Sequence, residues 1–289
     1  MARTYDRRGQ DVGNILALEH VNVRVPDQVL ATVYYVQGLG LTRDPYLMVD
    51  TENMWVNVGQ EQFHLPTGGP DLLRGCVGLV VPDLDALTAR LAGARERLAG
   101  TRFAYAVEDK HVAVTCPWGN RHRCHAPAPE FGDTTLGMAY VEFPVRPGCA
   151  EGIARFYRTV LRAPTTVIPE GGAAVARVRV GGRQELRFRE TAAPEAPYDG
   201  HHIAVYLADF SGPHAWLAER GLVTEESAEH QYRFDTIVEP NTGAPLFRIE
   251  HEVRSFTHPM FLRPLVNRNP AQRQPTYARG RDAFYPGAS

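Results

Sequence analysis

One pattern occurs four times in this chain: an alternating apolar strand that passes through a Pro, Asp or Gly turn into an amphipathic helix. The copies begin at His20-Val-Asn-Val-Arg-Val-Pro-Asp, Cys76-Val-Gly-Leu-Val-Val-Pro-Asp, Tyr140-Val-Glu-Phe-Pro-Val-Arg-Pro and His202-Ile-Ala-Val-Tyr-Leu-Ala-Asp. Their starts lie 56, 64 and 62 residues apart. That period is too long for the common solenoid repeats, so each copy is a supersecondary module rather than a stacking turn. In the first module the helix covers Val29 to Gln37 and stops at Gly38-Leu-Gly-Leu, where glycine tolerates a left-handed cap. Strands follow at Tyr46 to Asp50, Met54 to Val58 and Gln62 to Leu65, which makes a βαβββ unit. The third module repeats it, with a helix at Cys149 to Leu161 and strands at Thr165 to Ile168, Ala174 to Val180 and Gln184 to Arg189. Pro- and Gly-rich linkers stand at Thr67 to Pro70, Ala126 to Asp133 and Ala192 to Gly200. The middle one divides the chain into 16–130, holding modules one and two, and 135–255, holding modules three and four, with an extended tail over 256–289. The fold class expected is α+β.

Composition narrows the function. The 31 basic and 33 acidic residues leave a formal charge of −2, so no cationic excess invites nucleic acid or an anionic lipid surface. No apolar run approaches the ~20 residues of a membrane span, and the first residues lack the apolar core of a signal peptide. Cys76, Cys116, Cys124 and Cys149 form no CxxC pair, and the chain is long enough to bury its core without disulfides, so a cytoplasmic protein with free thiols is expected. Lys110 is the one lysine, and no GxxxxGK[ST] is present, which leaves a Schiff-base or P-loop chemistry almost no candidates.

Four consecutive βαβββ units, with helix ends such as Tyr34-Tyr-Val-Gln-Gly-Leu-Gly-Leu and Phe156-Tyr-Arg-Thr-Val-Leu-Arg, resemble the glyoxalase, or vicinal oxygen chelate, superfamily over about residues 16 to 255. The resemblance implies two glyoxalase-like domains, each of two modules curled into an open barrel-like β cup. It also implies a divalent metal in the cup, held by the first and last strands of the modules. At the first-strand position modules one and four carry His20 and His202, whereas modules two and three carry Cys76 and Tyr140. At the last-strand position module one offers His64 and module four Glu250, against Arg123 in module two and Glu185, Leu186 or Arg187 in module three. An arginine cannot ligate a cation. Pairing module one with four gathers His20, His64, His202 and Glu250 in one cup, and pairing one with two scatters them. The first pairing is therefore expected, with a vestigial second cup.

Three imidazoles and a carboxylate suit Fe, Mn, Co, Ni or Zn and leave about two positions of an octahedron for neighbouring substrate oxygens. Within the resemblance, the expected activity is isomerase or lyase chemistry on a small molecule, by metal-stabilised enediolate proton transfer. Glu250, or Glu252 on the same face of the strand, is the expected proton shuttle. Two alternatives are an Fe(II) extradiol-type dioxygenase, against which Tyr140 stands where such enzymes place a histidine, and a metal-free protein that sequesters a small molecule. A monomer or homodimer is expected. His201 should face away from His202, and His122, Cys124 and His125 divide between two faces of one strand.

Overall fold

The computed structural model describes residues 10–47 and 52–265, together with 5, 7, 272, 277 and 278. Module one contains β1 (Ile15–Asn22), α1 (Gln28–Ala31) continuing as a π-helix over Thr32–Gly38, β2 (Thr42–Arg43), β3 (Asn53–Val58) and β4 (Glu61–Pro66). Module two contains β5 (Cys76–Val80), α2 (Leu84–Ala94), β6 (Ala104–Val107), β7 (Val112–Thr115) and β8 (Arg121–His125). Module three contains β9 (Gly137–Val145), α3 (Ala150–Thr159), β10 (Thr165–Glu170), β11 (Ala173–Arg179) and β12 (Glu185–Glu190). Module four contains β13 (His202–Leu207), α4 (Ser211–Glu219), β14 (Val223–Ala228), β15 (Gln231–Val238) and β16 (Pro245–Ser255). All four units are βαβββ, as the repeat predicts. One strand differs: Tyr46 lies in a 3-10 turn over Pro45–Leu47, and β2 is only two residues long. The Asp44 carboxylate accepts from the Tyr46 backbone N–H, at 2.8 Å, and so turns the chain where an alternating pattern suggested extension. The remainder of that expected strand, 48–50, lies outside the described residues.

The strand-to-helix punctuation has a local cause. In modules one and two the Pro-Asp pair supplies the N-cap: Asp27 accepts from the N–H groups of Val29 and Leu30, and Asp83 from those of Asp85 and Ala86. Such a cap satisfies donors that the first turn leaves open and contributes about 1 kcal/mol.

Modules combine first with last and second with third. One sheet runs β14-β15-β16-β13-β1-β4-β3-β2 and the other β10-β11-β12-β9-β5-β8-β7-β6. Antiparallel seams join the partners, with Asn22 opposite His202 in one sheet and Gly78 opposite Tyr140 in the other. Both sheets therefore cut across the linker at 126–133. The two sheets meet each other through their convex faces, by contacts that lie within each half of the chain. Tyr34 beside α1 hydrogen-bonds His122 of β8 at 2.8 Å, and Tyr157 of α3 hydrogen-bonds His251 of β16 at 2.6 Å. These four groups are buried in one apolar core that spans all four modules, along with Phe63, Phe143, Phe156, Phe188 and Phe234. All four cysteines are buried and unbridged. Among the described residues no helix is long and apolar enough to cross a membrane.

Candidate metal centre

Alternation along the strands aims one set of side chains into the first cup. β13 contributes His202, Ala204 and Tyr206, β16 contributes Glu250, Glu252 and Arg254, and β4 contributes Gln62 and His64. On β1 the register slips between Leu18 and His20, and the Glu19 carboxylate reaches the Nδ1 of its neighbour His20 at 2.8 Å. One ring nitrogen from each of His20, His64 and His202 lies within 4.8 Å of the others. Their rings are set edge to face, with centroids 5.6 Å apart for His20 with His64 and for His20 with His202.

Each imidazole is oriented by its surroundings. His20 spends Nδ1 on Glu19, and its Nε2 is buried without a partner. His202 has Nδ1 3.3 Å from Glu250 and a buried, unpartnered Nε2, with a Glu252 oxygen 3.6 Å from that nitrogen. An unpaired buried polar atom costs about 1–3 kcal/mol unless something satisfies it. His64 stacks on Trp55 at 3.9 Å, accepts from the Asn22 amide at 2.6 Å and donates Nε2–H to Asn53 at 2.6 Å. Burial, and then the charge of His20, holds His64 and His202 well below the usual imidazole range. Both are therefore neutral at neutral pH and keep the lone pair that ligation requires, that of His64 being taken by the Asn22 amide.

Two arginines discipline the acids. Arg233 of β15 bridges Glu250 at 2.6 Å and Glu252 at 2.5 Å, and Arg254 bridges Glu19 and Glu252, each at 2.5 Å. Burial raises the Glu252 carboxyl, but Arg254, His20, His202 and Arg233 outweigh it and bring the group down to about 2. Glu19 is likewise brought to about 2, its burial outweighed by Arg254 and His20. Glu250 goes the other way: burial lifts it, and Arg233 only partly offsets the lift. Three carboxylates against two guanidinium groups leave this pocket one negative charge.

The expected metal set divides on register. His64 pairs across from Asn22, and Glu252 pairs across from Ala204, the corresponding place in module four. Glu250 lies opposite His202 as Gln62 lies opposite His20. The two-fold counterpart of His64 is thus Glu252, while Glu250 approaches the far nitrogen of His202. His201 points away, into Asp199 at 2.6 Å. His122 and Cys124 enter the core, and His125 faces the other cup at 3.0 Å from the Tyr140 hydroxyl.

No protein-family model and no curated protein matches the sequence. Solved structures do match. Glyoxalase I from Zea mays superposes with a TM-score of 0.61 at 15% identity, over 86% of this chain and 95% of that one. A candidate dioxygenase from Bacillus subtilis superposes with a TM-score of 0.53 at 16% identity, over 85% and 88%. This is the vicinal oxygen chelate fold.

In a vicinal oxygen chelate fold with four modules, the second cup holds the positions equivalent to the first. The seam pairs Cys76 with Glu142 and Gly78 with Tyr140, while Arg123 and Arg187 stand across from Gly78 and Glu142. The four places filled by His20, His64, His202 and Glu252 are therefore filled by Cys76, Arg123, Tyr140 and Arg187. Arg187 lies 3.9 Å over the Tyr140 ring, and that ring covers Gly78 so closely that a Cβ there would come within 2.1 Å of it. Two of the four side chains have no lone pair to offer. Sequence reasoning found the histidines but missed Glu19, Asn22, Arg233 and Arg254. Arg254 carried a signal, since Arg-Ile-Glu-His-Glu-Val-Arg puts four charged side chains on one face of a strand. Arg233 carried none, because only the β15–β16 register sets it opposite Glu252.

Part of the tail closes the same cup. Phe261 packs edge-on against Tyr206 at 4.8 Å, and Arg263 meets Asp44 and Gln62.

Proposed function

We propose that the first cup holds one divalent cation and that the protein is a metal-dependent enzyme acting on a small substrate with two neighbouring oxygens, by proton transfer at the carbon beside a carbonyl. The observation that carries this is the pair of buried, unpartnered Nε2 atoms on His20 and His202, each opposite an Nδ1 that faces a carboxylate. A carboxylate on the far nitrogen fixes the tautomer and makes the ligating nitrogen more basic. His64 joins them through the lone pair that the Asn22 amide now occupies, and Glu252 is the fourth donor. The set fits Fe, Mn, Co, Ni or Zn better than Mg or Ca.

A bound ion would supply Lewis acidity toward the substrate's paired oxygens. The chain's own residues do the rest. Glu252, kept ionised by Arg254 and Arg233, holds charge without moving a proton. Glu250, lifted by burial, is the better proton carrier at neutral pH. The net negative charge of the pocket becomes positive once a dication enters, which favours an anionic oxygen.

The test is elemental analysis of protein purified without a polyhistidine tag, followed by deuterium exchange of small α-hydroxycarbonyl compounds in heavy water read by NMR. About one metal per chain, as a single-site reading requires, should be present and absent in His20→Ala and His202→Ala, with exchange lost in Glu250→Gln even at a metal concentration that keeps its site loaded. A protein that binds no metal, or exchanges equally well after chelation, overturns the reading. Oxygen uptake on a catechol in place of exchange points to the dioxygenase alternative.

A further inference from the structure

The second cup and the linkers above it enclose a cavity of about 440 Å³, and its charge is far from balanced. Arg74, Arg121, Arg123, Arg146 and Arg189 line it, against only Glu142 and Glu195. Each acid is shared by two of the bases. Glu142 takes Arg123 at 3.1 Å and Arg189 at 3.3 Å, and Glu195 takes Arg74 at 2.5 Å and Arg146 at 4.0 Å. Among the described residues no carboxylate pairs with Arg121, whose Nε reaches only the Gly75 carbonyl at 3.3 Å. The lining therefore carries three more positive than negative charges, of which the one on Arg189 is also met from outside the lining by Glu170 at 2.5 Å.

Arg74 is the rigid end of the lining. Its side chain is 5% exposed, and its Nε–H is buried without an acceptor. The guanidinium is held in place by Phe247, 4.6 Å below it, and by the Ala196 carbonyl at 3.1 Å. Leu73, Pro144 and Val145 supply apolar wall beside the charges. Arginine forks match carboxylate and phosphate oxygens in pairs, and the volume suits a small molecule rather than a polymer.

We propose that this cavity binds a small organic polyanion carrying two or more phosphate or carboxylate groups. The second cup is then not vestigial: of the places where the first cup presents lone pairs to a cation, Arg123 presents hydrogen-bond donors to this cavity, while Arg187 stacks on Tyr140 outside its lining. The site needs no metal and does not depend on the activity proposed for the first cup.

Titration calorimetry on the full chain after chelation tests it, with pyrophosphate, citrate and acetate as probes at constant ionic strength. Pyrophosphate or citrate should bind saturably, one per chain, with Kd at or below about 1 mM, and acetate should not. Arg121 is exposed and lies outside the core, so Arg121→Glu should fold with an unchanged melting temperature and weaken binding by about tenfold or more. Arg220→Glu, on α4, should leave binding unchanged. Tighter pyrophosphate assigns a phosphorylated ligand, and tighter citrate a polycarboxylate. Absence of saturable binding by both polyanions, or the same affinity in Arg121→Glu, overturns the proposal.

Discussion

The two cups share a backbone plan and oppose each other in chemistry. Their convex faces match, for each buries a tyrosine–histidine pair, Tyr34 with His122 under the second cup and Tyr157 with His251 under the first. Their concave faces do not: His20, His64, His202 and Glu252 stand where the other cup has Cys76, Arg123, Tyr140 and Arg187. Because side chains alternate between faces along a strand, the core side of a module can stay fixed while the cup side changes function. What a module must keep is its packing, and what it can exchange is its charge.

The sharpest way to break this comparison is to remove one arginine from each cup. Arg254 is 9% exposed and holds Glu19 and Glu252, so Arg254→Met should cost about 3–5 kcal/mol by leaving two buried acids uncompensated. Arg123 is 40% exposed, and Arg123→Met should cost about 1 kcal/mol or less. Urea unfolding at pH 7 reads both, and equal losses would mean that the first cup is as open to water as the second.

The shared core should announce itself in acid. Burial depresses His251 to about 4 and His122 to about 3, both below their unfolded value of 6.5. A depressed histidine contributes stability above its unfolded pKa and loses it as pH falls toward the folded one, so stability should decline from about pH 6.5 to about pH 4. His251→Gln should remove roughly 3 kcal/mol of that decline, seen as a flatter pH dependence of the urea midpoint. A decline unchanged in this variant would place the acid sensitivity elsewhere.

Metal affinity then separates the concave faces. Glu19→Gln should weaken it about 10- to 100-fold by releasing the His20 ring, whereas Glu142→Gln in the second cup should leave it alone. Competition against a chromogenic chelator distinguishes the two, and equal effects would argue against a site confined to the first cup. The smallest effects test the likeness itself: Tyr34→Phe and Tyr157→Phe should each cost about 1–2 kcal/mol, and a clear inequality in thermal unfolding would show that the two core pairs are not equivalent.

Much of this was legible in the chain. The fourfold repeat specifies βαβββ modules because strand alternation, the capping Asp27 and Asp83, and the left-handed glycine that follows the first helix, Gly40, are local signals. His202 could be placed at the start of its strand for the same reason, whereas His20, read as a strand start, is the sixth of the eight residues of β1. Other features were out of reach of local reading. The choice between Glu250 and Glu252 turns on which residue faces Ala204 across a parallel ladder, a relation between segments about fifty residues apart. That Tyr34 hydrogen-bonds His122 while Tyr35 meets the same ring edge-on is likewise a relation between modules that only folding brings together.

By itself, then, the sequence determined the modules and the asymmetry between modules one and four, which bear histidines at the expected places, and modules two and three, which do not. The pairing of module one with four, expected from where the histidines fall, is the one formed, and only the tertiary structure decided that Glu252 shares a pocket with three imidazoles and that five arginines from both chain halves line one cavity. The physical reason is range: periodicity and capping act within a few residues, whereas register and charge summation act between strands that only folding brings together.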